Sequence, residues 1–495
     1  MADFNLEKIK DLECEVLVIG SGAGGATVAN ELSKNGFDVL ILEEGKYMPA
    51  EKVPTNFSDS LLNMWRSGGM TLAQGKPLVS FAEGMCVGGS TEINSAIFQK
   101  PPDELISKWA EKYSIDGFSP EAHAPFYEQA TRLVNASLTP GDFGAHSEIL
   151  REAGEHQGWE VGALERGHKN CVGTNNCSIG CPTGAKQSMS SSVLKSFIKN
   201  NGRIVSNCRV NKLIKKSDIV EGAKAEITDL EGVVHSLIIR AKHVFVCGGA
   251  TQTPTLLMRS GYKKGVGKGF KLHPTIRILA QFDQRINAHN SRHPLYAITE
   301  FSPNLRLGGS VFSLPTYGMF LTEDWQNRSY MMPSYTNMGM YYAMVRGSGV
   351  GSVASVPFSK HALVRYQLSE EDWSNIEIGL HNLSLALFEN GARKIQPSIY
   401  GMKAWNSIDD MRNAIKLGLP RKKINLMSIH LFSSIGMGED KKLNAANSYG
   451  KFHGVKNLYI ADASLIPESP GVNPQATVMA FALRVTENFI CKQKI

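Results

Sequence analysis

Val16-Leu17-Val18-Ile19-Gly20-Ser21-Gly22-Ala23-Gly24-Gly25 is the stretch that decides the fold. An apolar, β-rich run leads straight into Gly-x-Gly-x-x-Gly. A helical pattern follows from Ala26 to Asn35, and a second apolar run, Val39-Leu40-Ile41-Leu42, ends on Glu43, 18 residues beyond Gly25. Each part has a physical task. Gly20 permits a tight turn, Gly22 lets the backbone approach a pyrophosphate, and Gly25 lets helix and strand pack closely. The N-terminus of the helix offers free N–H groups and the positive end of its dipole to phosphates. Glu43 stands where an acidic side chain accepts hydrogen bonds from ribose hydroxyls. The reading is a β-α-β dinucleotide unit. The alternative, a glycine-rich turn in an ordinary α/β protein, does not explain the acid at this distance.

Length and composition bound what surrounds this unit. The 495 residues are 42% hydrophobic and 20% charged, which suits a globular chain of two domains with interleaved segments. No apolar run reaches the ~18 residues that span a bilayer. The N-terminal Met1-Ala2-Asp3-Phe4-Asn5-Leu6-Glu7 lacks a basic segment followed by an apolar one, so a cytoplasmic protein, or one peripheral to a membrane, is expected. The net charge of +7 is spread out, with modest clusters at Lys263-Lys264 to Lys271 and at Arg421-Lys422-Lys423. A solvated basic surface accounts for it; a docking patch for an acidic redox partner or an anionic membrane is the alternative. Nothing resembles a nucleic-acid module, so no nucleic-acid partner is expected.

Along the chain, residues 84–96 form a glycine-rich loop, and 104–160 show amphipathic helical spacing. Strand-like stretches occupy 203–215, 223–228 and 234–240, and Val244-Phe245-Val246-Cys247-Gly248-Gly249 is a buried strand ending in glycines. From about 274 to 400, short alternating strands suggest an antiparallel sheet, with a helix from Glu370 to Asn390. The chain then returns to the first domain through Leu458-Tyr459-Ile460-Ala461-Asp462 and a terminal helix opened by Asn473-Pro474-Gln475. Gly347-Ser348-Gly349-Val350-Gly351 imitates a second nucleotide motif. No helical pattern follows it, which argues against a second nucleotide such as NAD(P)H.

Five separated blocks resemble the glucose–methanol–choline (GMC) oxidoreductases, flavoproteins that oxidise alcohols. They are Gly20 to Gly25 with Glu43; Gly84-Met85-Cys86-Val87-Gly88-Gly89-Ser90-Thr91-Glu92-Ile93-Asn94; Cys247-Gly248-Gly249-Ala250-Thr251-Gln252-Thr253-Pro254; His430 to Gly438; and Asp462-Ala463-Ser464 through Gly471-Val472-Asn473-Pro474-Gln475. Finer texture, including Val364-Arg365-Tyr366-Gln367-Leu368-Ser369, is similar to long-chain alcohol oxidases and their bacterial relatives. The resemblance implies an α/β chain, α+β overall. A discontinuous Rossmann-like FAD-binding domain takes residues 1–105, 186–273 and 421–495. A substrate-binding domain, an antiparallel sheet with helices, takes 106–185 and 274–420. The resemblance also implies that Gly88, Gly89, Ser90, Asn94, Val210, Asp462, Ala463, Pro474 and Gln475 lie against FAD together with Gly20, Gly22, Gly25 and Glu43. No histidine precedes residue 123, so histidyl attachment of the flavin at the usual place is excluded. Cys86 is the one thiol near that loop, and non-covalent binding is expected.

Oxidising an alcohol requires a base or polariser for its hydroxyl, and an imidazole titrates near working pH. The resemblance places His430 in that role, with hydride passing to flavin N5, and Asn473 as the partner that fixes the alcohol oxygen. His273, in Lys271-Leu272-His273-Pro274, is a candidate for a structural or pocket role. The substrate expected is a small-molecule alcohol, lipophilic or long-chain. Two other classes compete: a sugar or polyol dehydrogenase passing electrons through an iron–sulfur cluster to an acceptor protein, and a non-redox lyase on the same scaffold.

Cys171, Cys177 and Cys181-Pro182 place three thiols within eleven residues of the loop 170–185. The loop resembles the cluster loop of bacterial FAD-dependent glucose dehydrogenases, and three thiolates suit a three-iron iron–sulfur cluster. Zinc with His168 as fourth ligand, or thiols that merely pack the loop, are the alternatives. Six methionines between 319 and 344 suit either a wall that accepts alkyl chains or an ordinary sheet core.

Overall fold

The computed structural model describes residues 11–141, 144–292 and 295–494. The reading of Met1 to Glu7, the first ten residues of the expected cofactor segment and residue 495 lie outside them. The strand Asp11–Ile19 runs into the helix Ala23–Lys34, and the chain returns along Val39–Leu42. All four residues of that second strand are buried, as expected for a parallel strand covered on both faces. Asp11–Ile19 pairs in parallel with Val39–Leu42 on one side and with Val234–Val246 on the other. Arg203–Val205 extends the sheet beyond Val39–Leu42, and Leu458–Ile460 extends it beyond residues 244–246. The 13-residue strand Val234–Val246 serves two purposes. Its end joins this parallel sheet, and its beginning leads into an antiparallel meander with Ile219–Thr228 and Cys208–Lys216.

A second, mostly antiparallel sheet holds thirteen strands among the described residues. Its centre is Thr275–Phe282 against Met338–Val345, backed by the 20-residue helix Glu370–Glu389, which Ser369 caps with a full capping box. Strands from segments assigned by sequence to the cofactor domain also pair into this sheet: Thr71–Gln74, Val79–Phe81, Lys268–Leu272, Leu426–Ser428 and Leu431–Phe432. The two sheets are therefore stitched together along the line where the chemistry falls. The stretch after Gly347 is the strand Val350–Ser355 and no helix.

The region 314–337 differs from the expected run of strands. It forms the helix Leu314–Thr322, the short helix Trp325–Arg328 and the 3₁₀ segment Ser329–Asn337. The Ser313 capping box and Pro315 in the first helical turn set that local choice. Among the described residues no helix is long and apolar enough to cross a membrane.

Candidate active site

An open cavity lies where the parallel sheet meets the second sheet. The turn after the first strand forms its floor. Gly20 has a φ of +100°, and a Cβ there would sit 2.4 Å from the carbonyl oxygen of Cys247. Gly25 packs the helix on the strand, since its Cβ would strike the carbonyl of Gly20 at 1.9 Å. Gly22 is different. The nearest protein atom to its Cβ position is the Cα of Gly89, 4.0 Å away, so the space above it is left to something else. Gly89, itself left-handed at φ +57°, faces Gly22 from the loop 84–96, and a Cβ on Gly89 would come within 2.9 Å of Gly22 Cα. Two bare backbones thus form a cradle at the N-terminus of the helix Ala23–Lys34.

Of the residues expected at a cofactor, Gly20, Gly22, Glu43, Gly89, Ser90, Asn94, Val210, Asp462, Ala463, Pro474 and Gln475 line this cavity. Gly25 and Gly88 stand behind it. The Gly88 N–H donates to Ser21 Oγ at 3.0 Å and holds the two glycine loops together. The polar side chains do more scaffolding than their sequence positions suggest. Buried Glu43 accepts from Ser21 N–H (2.9 Å), Ser21 Oγ (2.7 Å) and Gly45 N–H (2.9 Å), and so fixes the turn it faces. Burial raises its carboxyl pKa. Asp462 accepts from Gly249 N–H (2.7 Å) and Thr253 Oγ1 (2.5 Å) with one oxygen and from Ser464 N–H (2.8 Å) with the other. Asn94 donates to Gln475 Oε1 at 2.8 Å, which ties the loop 84–96 to the terminal helix Gln475–Gln493.

Sequence reasoning missed an ionic cluster on the same wall. Glu44 binds Arg66 (3.0 Å) and Arg209, Arg66 also pairs with Glu83 (3.6 Å), and Glu83 accepts from Thr251 Oγ1 at 2.6 Å. Burial pushes the Glu44 carboxyl up, and the two guanidiniums outweigh it, leaving it below the usual carboxylate range. The one signal was the second acid directly after Glu43; Arg66 and Arg209 carry no motif.

The opposite end holds the imidazoles. The pairing of Leu272 with Leu431 and of Lys271 with Phe432 sets His273 beside His430. Nδ1 of His430 lies 2.9 Å from Nδ1 of His273, and Nε2 lies 3.1 Å from Nδ2 of Asn473. Burial, reinforced by the charge of Arg306, pushes His430 down to about 3. Burial likewise holds His273 well below the ordinary histidine value. Both rings are therefore neutral at working pH. Asn473 Oδ1 and His273 Nε2 are buried with no protein partner among the described residues. Arg306, buried and donating to Gln99 Oε1, was also invisible to sequence reasoning.

Two of the open readings gain no support. Among the described residues no three His, Cys, Asp or Glu side chains converge to hold a metal ion, at the cysteine loop or elsewhere. Cys171, Cys177 and Cys181 are unbridged and share a small cavity with Arg166, Lys186 and Arg292, and two of the thiols hydrogen-bond to protein. Cys177 Sγ accepts from Arg166 at 2.8 Å, and Cys181 Sγ accepts from Lys186 N–H at 3.4 Å. That partnering supports neither an iron–sulfur cluster nor a zinc ion. For the methionines the structure fits the sheet-core alternative better than the wall. Met331, Met338, Met340 and Met344 are buried, Met319 and Met332 are exposed, and none lines the cavity. Cys86 is fully buried, also off the cavity, with its thiol on Gly89 O at 3.7 Å.

A dinucleotide fits the cradle: open space over Gly22, a helix N-terminus for the phosphates and an unpartnered acceptor on Asn473.

Family models agree. GMC oxidoreductase models match residues 61–275 and 357–482, and an NAD(P)-binding Rossmann-like model matches 18–48. The chain is 44% identical to an uncharacterised GMC-type oxidoreductase of Sinorhizobium fredii over 98% of its own length and 96% of that protein's. It is 27% identical to a long-chain-alcohol oxidase of Arabidopsis thaliana over 95% of its length and 66% of that protein's. The solved formate oxidase of Aspergillus oryzae shares the fold, with a TM-score of 0.75 at 15% identity, covering 98% of this chain and 99% of that one. The chain belongs to the GMC oxidoreductase family, flavoenzymes that bind FAD and act on alcohol-type substrates.

Proposed function

We propose that this enzyme oxidises the CH–OH group of an uncharged, lipophilic alcohol to the carbonyl, with His430 as base and Asn473 as the group that orients the hydroxyl. The observation that carries this reading is the buried, neutral imidazole held between His273 and Asn473 at the cavity's end. Bound FAD supplies the acceptor for the hydride that leaves the carbinol carbon. The protein's own share is proton handling and placement. His430 Nε2 takes the hydroxyl proton as the C=O bond forms, and Asn473 Nδ2 donates to the same oxygen, so the alcohol replaces the direct His430–Asn473 contact. His273 occupies Nδ1 of His430 and fixes the tautomer that leaves Nε2 as the acceptor. Pro474 caps a 19-residue helix whose positive end meets this site and favours charge building on the oxygen.

The substrate class rests on what the walls offer. Each carboxylate lining the cavity, Glu43, Glu44, Glu83 and Asp462, is held by protein donors, and Ile97, Ile429 and Leu431 flank the histidine end. No free carboxylate awaits a cationic substrate there. The resemblance to long-chain-alcohol oxidases points the same way. Anaerobic titration of the yellow holoenzyme with alcohols of increasing chain length tests the reading. Bleaching that strengthens with chain length supports it. A flavin that stays oxidised with every alcohol would sink it and would point to a lyase.

A further inference from the structure

Antiparallel sheets turn a polar face to water, and the water-facing side of the second sheet also carries large apolar side chains. Val350–Ser355, Ala362–Gln367 and Thr71–Gln74 lie side by side. Register puts Val353, Val364 and Ala73 on the buried side, so Val350, Ala354, Leu363 and Leu72 share the other with Ser352, Arg365, Gln367 and Gln74. Val350 is 70% exposed and Leu72 52%. At one end of the face Met70 (84% exposed) meets the turn that carries Phe358, which is fully exposed with φ +57°. Ser67 Oγ, 3.3 Å from His361 Nδ1, holds the two segments together there.

The charge around this face is mostly positive. No Asp or Glu occurs from Arg66 to Ala82, or from Trp325 to Ser369; the exposed acids Glu370 and Glu371 follow at the Val350 end, where Glu370 pairs with Arg421. Exposed Arg365 stands on the face itself, and exposed Lys360 in the turn that carries Phe358. Lys76 lies at the hairpin tip, and Lys268 sits opposite Ser352 on the adjoining strand. Exposed aromatic and aliphatic side chains with cations in excess around them complement an anionic lipid surface, where the apolar groups enter the headgroup region and the cations meet phosphates. The face is also joined to the cavity wall, because Arg209, which lines the cavity, donates to the carbonyl of Lys360 at 3.0 Å.

We infer that this face, built on Met70, Leu72, Val350 and Phe358 with Lys360 and Arg365, docks the enzyme peripherally on an anionic membrane. This assignment stands whether or not the substrate is lipophilic, because the test reads binding alone. FAD-loaded protein is floated with phosphatidylcholine vesicles with and without phosphatidylglycerol. Binding is expected only with phosphatidylglycerol, and high salt releases it. Lys360→Gln with Arg365→Gln lowers the partition about 25-fold, at about fivefold per cation. Met70→Ser with Phe358→Ser also weakens it, while flavin absorbance and melting temperature stay unchanged. Absence of flotation with anionic vesicles, or flotation indifferent to both variants, overturns the proposal. So does wild-type self-association that Met70→Ser with Phe358→Ser abolishes, which would assign the face to a second copy of the chain.

Discussion

The loop 84–96 and the loop 170–185 make a useful comparison. Both are rich in glycine and in side chains able to do chemistry, and both lie against a cavity. In the first, the backbone converges. Gly88 reaches Ser21, Gly89 touches Gly22, and Asn94 reaches Gln475. In the second, the thiols of Cys177 and Cys181 bond to their own surroundings. Its contribution runs through Lys186, whose buried ammonium donates to the carbonyls of Glu92 (2.6 Å), Asn94 (3.1 Å) and Cys177 (2.7 Å). The cysteine loop is thus a buttress for the cradle. Spacing brings reactive residues near one another, but only a converging backbone makes them a site.

The comparison breaks most sharply at Gly89. Gly89→Val adds a branched side chain in a left-handed conformation against Gly22, and strain of about 1–3 kcal/mol from the conformation alone adds to the clash. The variant is expected to purify colourless, or to bind added FAD at least tenfold more weakly in a fluorescence titration. Normal flavin content would refute the cradle. His273→Leu comes next. It strands Nδ1 of buried His430, and an unmet buried donor costs about 1–3 kcal/mol, so flavin reduction should slow about tenfold to a hundredfold, with partial recovery in His273→Gln. Equal rates in the two variants would remove His273 from the mechanism.

Acid stability sharpens the histidine end. His430 and His123 are pushed down to about 3 and His146 to about 4, all by burial. Unfolded histidine titrates near 6.5. Below that value the unfolded chain takes up protons that the folded chain refuses, so stability is intact above about pH 6.5 and is lost as pH falls toward 3–4. The slope approaches about 1.4 kcal/mol per pH unit for each histidine. Melting temperatures from pH 8 to 5 should be level and then decline. A level profile throughout would contradict neutral buried rings. The smallest effect is expected in the buttress: Cys171→Ser with Cys181→Ser should alter flavin reduction less than threefold, in protein free of iron and zinc by elemental analysis. Stoichiometric iron would revive the cluster.

Much of the site was legible because it is local. Gly20 to Glu43 is one β-α-β unit, and the spacing between its parts reports on the turn, the helix and the acid together. His430 and Asn473 were chosen through a family resemblance, and the structure brings them within 3.1 Å of each other across 43 residues of chain. What escaped is non-local. The Glu44–Arg209 pair spans 165 residues and His273–His430 spans 157, and neither leaves a periodic trace. His273 was noticed as a motif but not as a partner. The methionine run left a pocket wall and a sheet core both open because composition reports apolarity without direction; in the fold it packs a sheet core and a 3₁₀ surface. The short strand Leu431–Phe432 pairs with a partner about 160 residues away, and Thr71–Gln74 pairs on one side with a strand about 290 residues away.

The central claim is that His430 removes the hydroxyl proton. Single-turnover, anaerobic mixing of a bleaching alcohol with the wild type and with His430→Ala, both loaded with FAD, tests it most directly. Equal initial flavin absorbance with reduction slowed about 10²–10⁴-fold in the variant is the predicted result. Reduction at the wild-type rate would contradict it.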